Sequence, residues 1–485
     1  MRRWFATKLT VAATAVLCPT LLWGASAGAA LAPSSAAGPR VVDSAGIWGN
    51  AVAVGVSGGS DAEIRSVSCA SAGNCSGAGY YDDGQAREQA FVVSQVDGVW
   101  GPASQVPGSA TLNQGSAMIL SVSCASAGNC SAGGFYTDRY GHRQAFVVRQ
   151  AGGAWGMARE VSGSGALNKG GYAELSSVSC RSAGSCSAGG FYTGRSKHWQ
   201  AFVVDEKNGL WGSAKPALGL AALNPGGDAE INSMSCSSVG NCGAGGGYWG
   251  GSHPGQAFVV NETGGVWGRA KKIAGLAKLN TGGSAQVVSI SCAAAGSCTV
   301  GGYYLSGSHT EAFVVSQVKR IWGTAREVPG SAILNKGGYA QVYSVSCASR
   351  GNCSAGGSYW DRSGHQQAFI ASQVNGKWGS AREVPGSAAL NTNGSAVVTS
   401  VSCATAGNCS AGGTYAVHSG WQAFVVSQVN GRWGNAEPVT GSQALSNGGP
   451  TAIYSVSCAS ASACSAGGYY VKSLSSGQAM VVSKS

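Results

Sequence analysis

One segment of this chain, seen as SVSCASRGNCSAGGSYWDRSGHQQAFIASQVNGKWGSAREV from Ser344 to Val384, recurs eight times and fills nearly everything after residue 40. The first cysteine of each copy falls at 69, 124, 180, 236, 292, 347, 403 and 458, a spacing that is always 55 or 56. Trp-Gly pairs keep the same beat, from Trp48 and Trp100 through Trp155, Trp211, Trp267, Trp322 and Trp378 to Trp433. A chain of 485 residues would ordinarily divide into several domains, because single cores stop growing near ~250–300 residues. A fixed internal period removes that limit, since each unit packs only on its neighbours.

Within a unit the pattern predicts four short strands. The first ends at SVSC (Tyr343–Cys347), and the second is CSAGGxY (Cys353–Tyr359). The third is Gln422–Val429, rich in β-branched and aromatic residues, and the fourth runs from Trp378 to Val384. Asn375-Gly376 and Asn430-Gly431 mark the turn between third and fourth strands, because both central residues of that hairpin turn need φ > 0. The third strand is apolar on both faces, which suits burial between sheets. A long link without strand pattern, Pro385–Ala396, leads to the next unit.

Four antiparallel strands repeated eight times predict an all-β fold, an eight-bladed β-propeller of four-stranded blades. Small residues (Ser, Gly, Ala, Cys) on the first two strands fit a crowded centre; Phe and Trp on the others fill the space where blades diverge. The last unit stops after its third strand at Gln478–Val482, and its missing Trp strand stands at Ile47–Val54. The N-terminal strand should therefore close the ring, leaving no open sheet edge. An open solenoid would have no reason to split one unit between its ends.

The first 27 residues read as a signal peptide: basic Arg2, Arg3 and Lys8, an apolar run from Leu9 to Trp23, then Ala25-Ser26-Ala27 as a cleavage pattern. Residues 28–39 read as a linker and 40–485 as the propeller. The expected protein is secreted and extracellular, and without membrane insertion, since no run of 18 apolar residues follows. Removing three cations lowers the formal charge from +11 to +8. The remaining cations are scattered, an arrangement that serves solubility and offers no nucleic-acid footprint. Charged residues are only 11% of the chain, but strict periodicity in an apolar-rich sequence argues against disorder. A monomer is expected.

The units resemble a repeat type of secreted actinobacterial proteins, close to SCxSAGNCxAGGYY…QAFVV…GxWGxAxxVPG. Cys124–Tyr136 (CASAGNCSAGGFY) and Gln422–Gly434 (QAFVVSQVNGRWG) carry the resemblance, which covers residues 40–485. It implies a propeller and export, and no established activity.

Each unit holds a Cys-x5-Cys pair: Cys69 with Cys75, Cys124 with Cys130, Cys180 with Cys186, Cys236 with Cys242, Cys292 with Cys298, Cys347 with Cys353, Cys403 with Cys409, and Cys458 with Cys464. The spacing joins first and second strands across a short turn, near the ~5.5 Å Cα separation of a disulfide. Zinc sites favour other spacings and further ligands, so disulfides are expected and no metal or cofactor is implied. The bridges read as staples within a unit.

Histidine follows a narrower pattern. All six (His142, His198, His253, His309, His365, His418) fall in the loop between second and third strands of six consecutive units. The same loops carry Tyr140, Trp199, Trp249, Trp360 and Trp421. One reading is drift by duplication. The other is a binding face, where Trp and Tyr stack on sugar rings and His hydrogen-bonds hydroxyls. A shared metal is disfavoured, since equivalent atoms of adjacent blades should lie ~10 Å apart, against ~2.1 Å metal–nitrogen bonds.

Catalytic signatures are absent: there is no G-x-S-x-G, HExxH, P-loop or Asp box. Recurring Glu160, Glu327, Glu383 and Glu437 belong to the repeat and read as structural, and no unit is expected to supply a carboxylate pair. Asn74, Asn129, Asn352 and Asn408 match a glycosylation pattern but follow from the turn. The sequence thus predicts a secreted propeller that binds a carbohydrate or another cell-surface polymer. The alternatives are an extracellular glycan-active enzyme with one site, and a purely structural cell-surface protein.

Overall fold

The computed structural model describes residues 46–56, 59–85, 87–250, 254–473 and 476–485. The expected signal peptide, the linker and His253 lie outside them. The chain forms eight antiparallel sheets, blades 1 to 8, in sequence order around an axis. Blade 6 shows the plan: first strand Ala340–Ser349, second Asn352–Trp360, third Gln366–Val374, then a fourth in two pieces, Lys377–Trp378 and Arg382–Glu383. The sequence suggested one unbroken fourth strand. Trp378 pairs with Gln373 and Arg382 with Ile370, so four steps on one strand oppose three on the other. The surplus residue bulges the strand and interrupts it. The link after it is not featureless either: Ser387–Leu390 makes one helical turn behind Gly386.

The first strands surround the axis, and the repeated SxSC explains how they are held. Both serine hydroxyls accept backbone N–H bonds from the first strand of the next blade. Ser344 and Ser346 take those of Val401 and Cys403, each at 2.9 Å. The same pair of bonds recurs at every seam, sixteen in all at 2.9–3.2 Å, including Ser455 to Val67 and Ser457 to Cys69 where blade 8 meets blade 1. The inner edge of each sheet, which a lone blade would leave unpaired, is thereby satisfied around a closed circle.

The Gly-Gly of the second strand answers two close approaches. A Cβ on Gly356 would sit 2.5 Å from Val398 of the next blade, and one on Gly357 would sit 1.9 Å from the carbonyl of Gln341, beside the first-strand bulge at Tyr343. Farther out, apolar residues of one third strand pack on the next blade. Ala312, Val314 and Val328 of blade 5 join Val342, Val345, Tyr359 and Phe369 of blade 6. The Trp indoles bond across the same seams, as Trp433 Nε1 donates to Ser372 Oγ at 3.1 Å.

The ring closes as the split unit requires. Val52 and Ala53 pair with Val481 and Met480, and Ile47 and Gly49 donate to Ser485 and Ser483 at 2.9 Å. All eight Cys-x5-Cys pairs are disulfides, from Cys69–Cys75 to Cys403–Cys409 and Cys458–Cys464, with Cα atoms 3.9–4.0 Å apart. That differs from the separation of about 5.5 Å expected of a disulfide. Each pair stands directly opposite across two neighbouring strands, as Cys347 does to Cys353, Cys403 to Cys409 and Cys458 to Cys464.

The bridges are also more than staples within a unit. Ser354 of blade 6 and Ser410 of blade 7 hold their hydroxyls 3.4 Å from the sulfurs of Cys409 and Cys464, each in the following blade. A bridged sulfur carries no hydrogen, so the hydroxyl donates and the second cysteine joins the contact between blades. The spacing of Cys409 and Cys464 within their own units gave no sign of this. The disulfide hairpins share one rim with the third-to-fourth-strand turns, tied by Gly376 N–H to Gly351 O at 2.9 Å. Among the described residues no helix is long and apolar enough to cross a membrane.

Candidate functional site

The opposite rim carries the second-to-third-strand loops and the inter-blade links. In blades 2, 5 and 6 one device joins them. The residue after histidine donates its N–H to a link glycine of the next blade: Arg143 to Gly171 and Thr310 to Gly338 at 3.0 Å, Gln366 to Gly394 at 2.9 Å. The preceding imidazole lies over that glycine. A Cβ there would come within 2.7 Å of His142, 2.9 Å of His309 and 2.6 Å of His365. His142 and His365 also stand 3.9 and 3.7 Å from Asp138 and Asp361, whose carboxylates cap their own loops through the backbone N–H of the histidine. His198 lies 3.4 Å from Asp228, and His418 is exposed. The described histidines stay one to a blade.

The tryptophans behave differently. Trp199 begins the third strand of blade 3 and Trp249 ends the second strand of blade 4. Their rings meet edge to face at 5.8 Å. Trp199 also stacks on Phe191 at 4.5 Å and lies parallel to Tyr172 at 6.2 Å. The Arg143 guanidinium of blade 2 extends this row, 4.4 Å over Tyr172 and 3.7 Å over Phe135. Rings and a cation from three blades thus form one continuous ledge. Trp360 packs separately on Tyr339 at 5.6 Å, and Trp421 is half-buried at the start of the third strand in blade 7.

Beside the ledge lie charged residues that the sequence reading did not single out. One first-strand position holds Glu174 in blade 3 and Glu230 in blade 4, so the two carboxyls come from two units, one from each. Arg143 contacts Glu174 Oε2 at 3.1 Å and also bonds the Tyr172 hydroxyl. Gln286 of blade 5 donates to Glu230 Oε1 at 3.3 Å. Burial first, and then the charge of Glu174, push Glu230 up to about 8. Burial also raises Glu174, with Arg143 opposing it. At neutral pH the arrangement therefore offers a protonated carboxyl on Glu230 and an Arg-paired carboxyl on Glu174. In blade 1, Glu63 pairs with Arg65 at 3.0 Å, and Arg65 lies 4.6 Å over Tyr454. One signal for these residues was present in the sequence: this position reads Glu63, Met118, Glu174, Glu230, Gln286, Gln341, Val397, Ala452 across the units, whereas its neighbours hardly vary.

Two of the recurring fourth-strand glutamates are fixtures of the blade, since Tyr136 donates to Glu160 at 2.9 Å and Tyr359 to Glu383 at 3.1 Å; Glu437 stands one place earlier in its strand, opposite Val425, with Pro438 in the usual glutamate position. The turn asparagines are likewise engaged, with Asn352 Oδ1 accepting from Asn375 N–H at 3.1 Å.

Ring closure, inner serine circle and repeated sheets define the class: an eight-bladed β-propeller with one disulfide per blade. No family model matches the chain, and no curated protein matches it. Among solved structures it is similar to Sqt1 of Chaetomium thermophilum bound to the N-terminus of a ribosomal protein, at TM-score 0.47 and 8% identity over 87% of this chain and 96% of that one. It is also similar to the β-propeller domain of the Trilobed protease from Pyrococcus furiosus, at TM-score 0.41 and 6% identity over 78% and 98%.

Proposed function

We propose that this protein is a secreted binding protein that takes carbohydrate, or another extracellular polymer, on the loop rim. The observation that carries the reading is the ledge of Tyr172, Phe191, Trp199 and Trp249 beside Arg143, Glu174 and Glu230. The half-buried rings of Tyr172, Trp199 and Trp249, backed by the buried Phe191, offer a surface for the apolar face of a sugar, and the flanking Glu174 carboxyl and Arg143 guanidinium can pair with its hydroxyls. Eight disulfides fit an oxidising compartment, in line with the signal-like N-terminus. Trp360 and Trp421 in blades 6 and 7 can add weaker contacts, so repeating ligands would gain by avidity. The histidines contribute through their loops.

The test compares retention of wild type, Trp199→Ala/Trp249→Ala and Trp360→Ala/Trp421→Ala on immobilised polysaccharides and whole cells, with circular dichroism to check folding. The first pair should lose most of the retention and the second less. Equal retention by all three removes the ledge from function. The second reading, a glycan-active enzyme, is favoured by one observation: two neighbouring carboxyls in unlike environments, the usual mark of an acid and a base. A polysaccharide hydrolysis screen decides it, with activity lost in Glu230→Gln if the reading holds.

A further inference from the structure

On the disulfide rim the eight units provide their own controls. Where blades 1 and 2 meet, Gln150 donates to Ser94 at 3.1 Å and accepts from Ser76 at 3.5 Å. The space left there is about 50 Å³. The same seam between blades 4 and 5 holds a cleft of about 410 Å³, lined among others by Asn241, Glu262, Arg269, Lys271, Gln317 and Arg320.

The two seams differ because blade 4 and its neighbour depart from their siblings at this place. Gly243 stands where every other unit has Ser or Thr after the second cysteine. Gln317 Oε1 is buried without a partner, as is Gln373 Oε1 at the next seam. Asn261 and Glu262 replace the Ser-Gln of blade 1. Arg269 occupies a position that is Pro102, Met157, Ser213, Thr324, Ser380 or Asn435 elsewhere. Arg320 sits in a hairpin turn at φ 68°, where Gly98, Gly153, Gly209, Gly265, Gly376 and Gly431 serve the siblings. A side chain in that left-handed conformation carries a cost that glycine avoids. Among the described residues, Arg269, Lys271 and Arg320 make no side-chain hydrogen bond or ion pair.

We propose that this cleft binds an anionic ligand, a phosphate, sulfate or carboxylate borne by a small molecule or a sugar. Arg269, Lys271 and Arg320 hold its charge, and Gln317 Oε1 accepts from one of its hydroxyls. The volume suits a ligand of one or two sugar rings. The site is on the rim opposite the aromatic ledge and stands independently of the reading given to that ledge. Glu262 turns its carboxyl away from the cleft, toward the Ser187 hydroxyl of blade 3 at 3.5 Å, and leaves the three cations unopposed.

Calorimetric titration of the disulfide-intact protein with sodium sulfate, sodium phosphate, glucuronate and neutral glucose tests this, at constant ionic strength. One anion should bind per chain and glucose should not; sulfate or phosphate over glucuronate marks a free oxyanion, and the reverse an acidic sugar. Arg320→Gly, which restores the siblings' turn residue and so should fold at least as well, and Arg269→Ser should each weaken binding at least about tenfold. Lys169→Ser, a cation on the other rim, should leave it unchanged. The proposal is overturned if none of the three anions binds, or if binding persists undiminished in Arg320→Gly and Arg269→Ser.

Discussion

Two side chains placed by the repeat and one that departs from it show how single residues act in this ring. Ser344 and Ser346 bear no charge and are only partly buried, yet each accepts an N–H from a strand of another blade. Replacing both by Ala leaves Val401 N–H and Cys403 N–H without partners beside the axis, where water can compensate only in part. The double variant should lose about 2 kcal/mol, read as a lower urea midpoint at an unchanged denaturant slope. Glu230 acts in the opposite sense. Its carboxyl sits at about 8 in the folded ring, well above its ordinary value of 4.5. Folding therefore favours the protonated form, so its contribution is full below pH ~4.5 and is lost progressively as pH rises to about 8. Urea midpoints at pH 5, 7 and 9 should fall for wild type and fall less for Glu230→Gln. Parallel decline in both proteins would place the pH sensitivity elsewhere.

At the scale of the strand and hairpin, the disulfide rim is the most easily tested part. Cys347→Ser/Cys353→Ser removes one staple that closes a short loop, for a loss of about 2 kcal/mol in the chain-entropy picture. The other seven bridges, Cys403–Cys409 and Cys458–Cys464 among them, should survive, seen as seven Cys-x5-Cys peptides on non-reducing mapping. Elements like this hairpin were legible in the sequence because the repeat pins them: Cys347 and Cys353, Asn375-Gly376 and the Phe of QAFVV recur in near-fixed places. What escaped was whatever departs from the consensus or is too short to show a period. Ser387–Leu390 is four residues long, below any helical periodicity. The break after Trp378 depends on one surplus residue that leaves the pattern of residue types unchanged. Glu174 and Glu230 escaped because their position belongs to no consensus: its range, from Met118 to Val397, shows only when the units are aligned place by place. The histidines show the converse case: their spacing was plain, but packing over Gly171, Gly338 and Gly394 is a relation between blades and has no trace in one unit's sequence. The hydroxyl contacts of Cys409 and Cys464 escaped for the same reason.

For the whole molecule, closure is double, and the two closures are made by different parts of the chain. The inner circle is completed by Ser455 and Ser457 reaching Val67 and Cys69. The outer one is completed by the N-terminal segment, whose Val52 and Ala53 pair with the third strand of blade 8 and whose Trp48 indole donates to Ser427 at 3.3 Å. Deleting Val41–Val54 removes only the second. Trp48, Ala51 and Val54, all buried, are lost, and Ser476–Lys484 becomes a bare edge. Blade 8 would then lack what every other blade has from its own unit, while the inner serine circle still holds the ends together. The expected product is a folded but less stable ring that associates through the exposed strand. Light scattering after size exclusion should show dimers or larger species for the truncated chain and a monomer for the full one, and the truncated chain should melt at a lower temperature. A synthetic peptide spanning Ile47–Val54 should restore part of both losses by refilling the edge. If the truncated protein stays monomeric and melts unchanged, the N-terminal strand does not close the ring in solution.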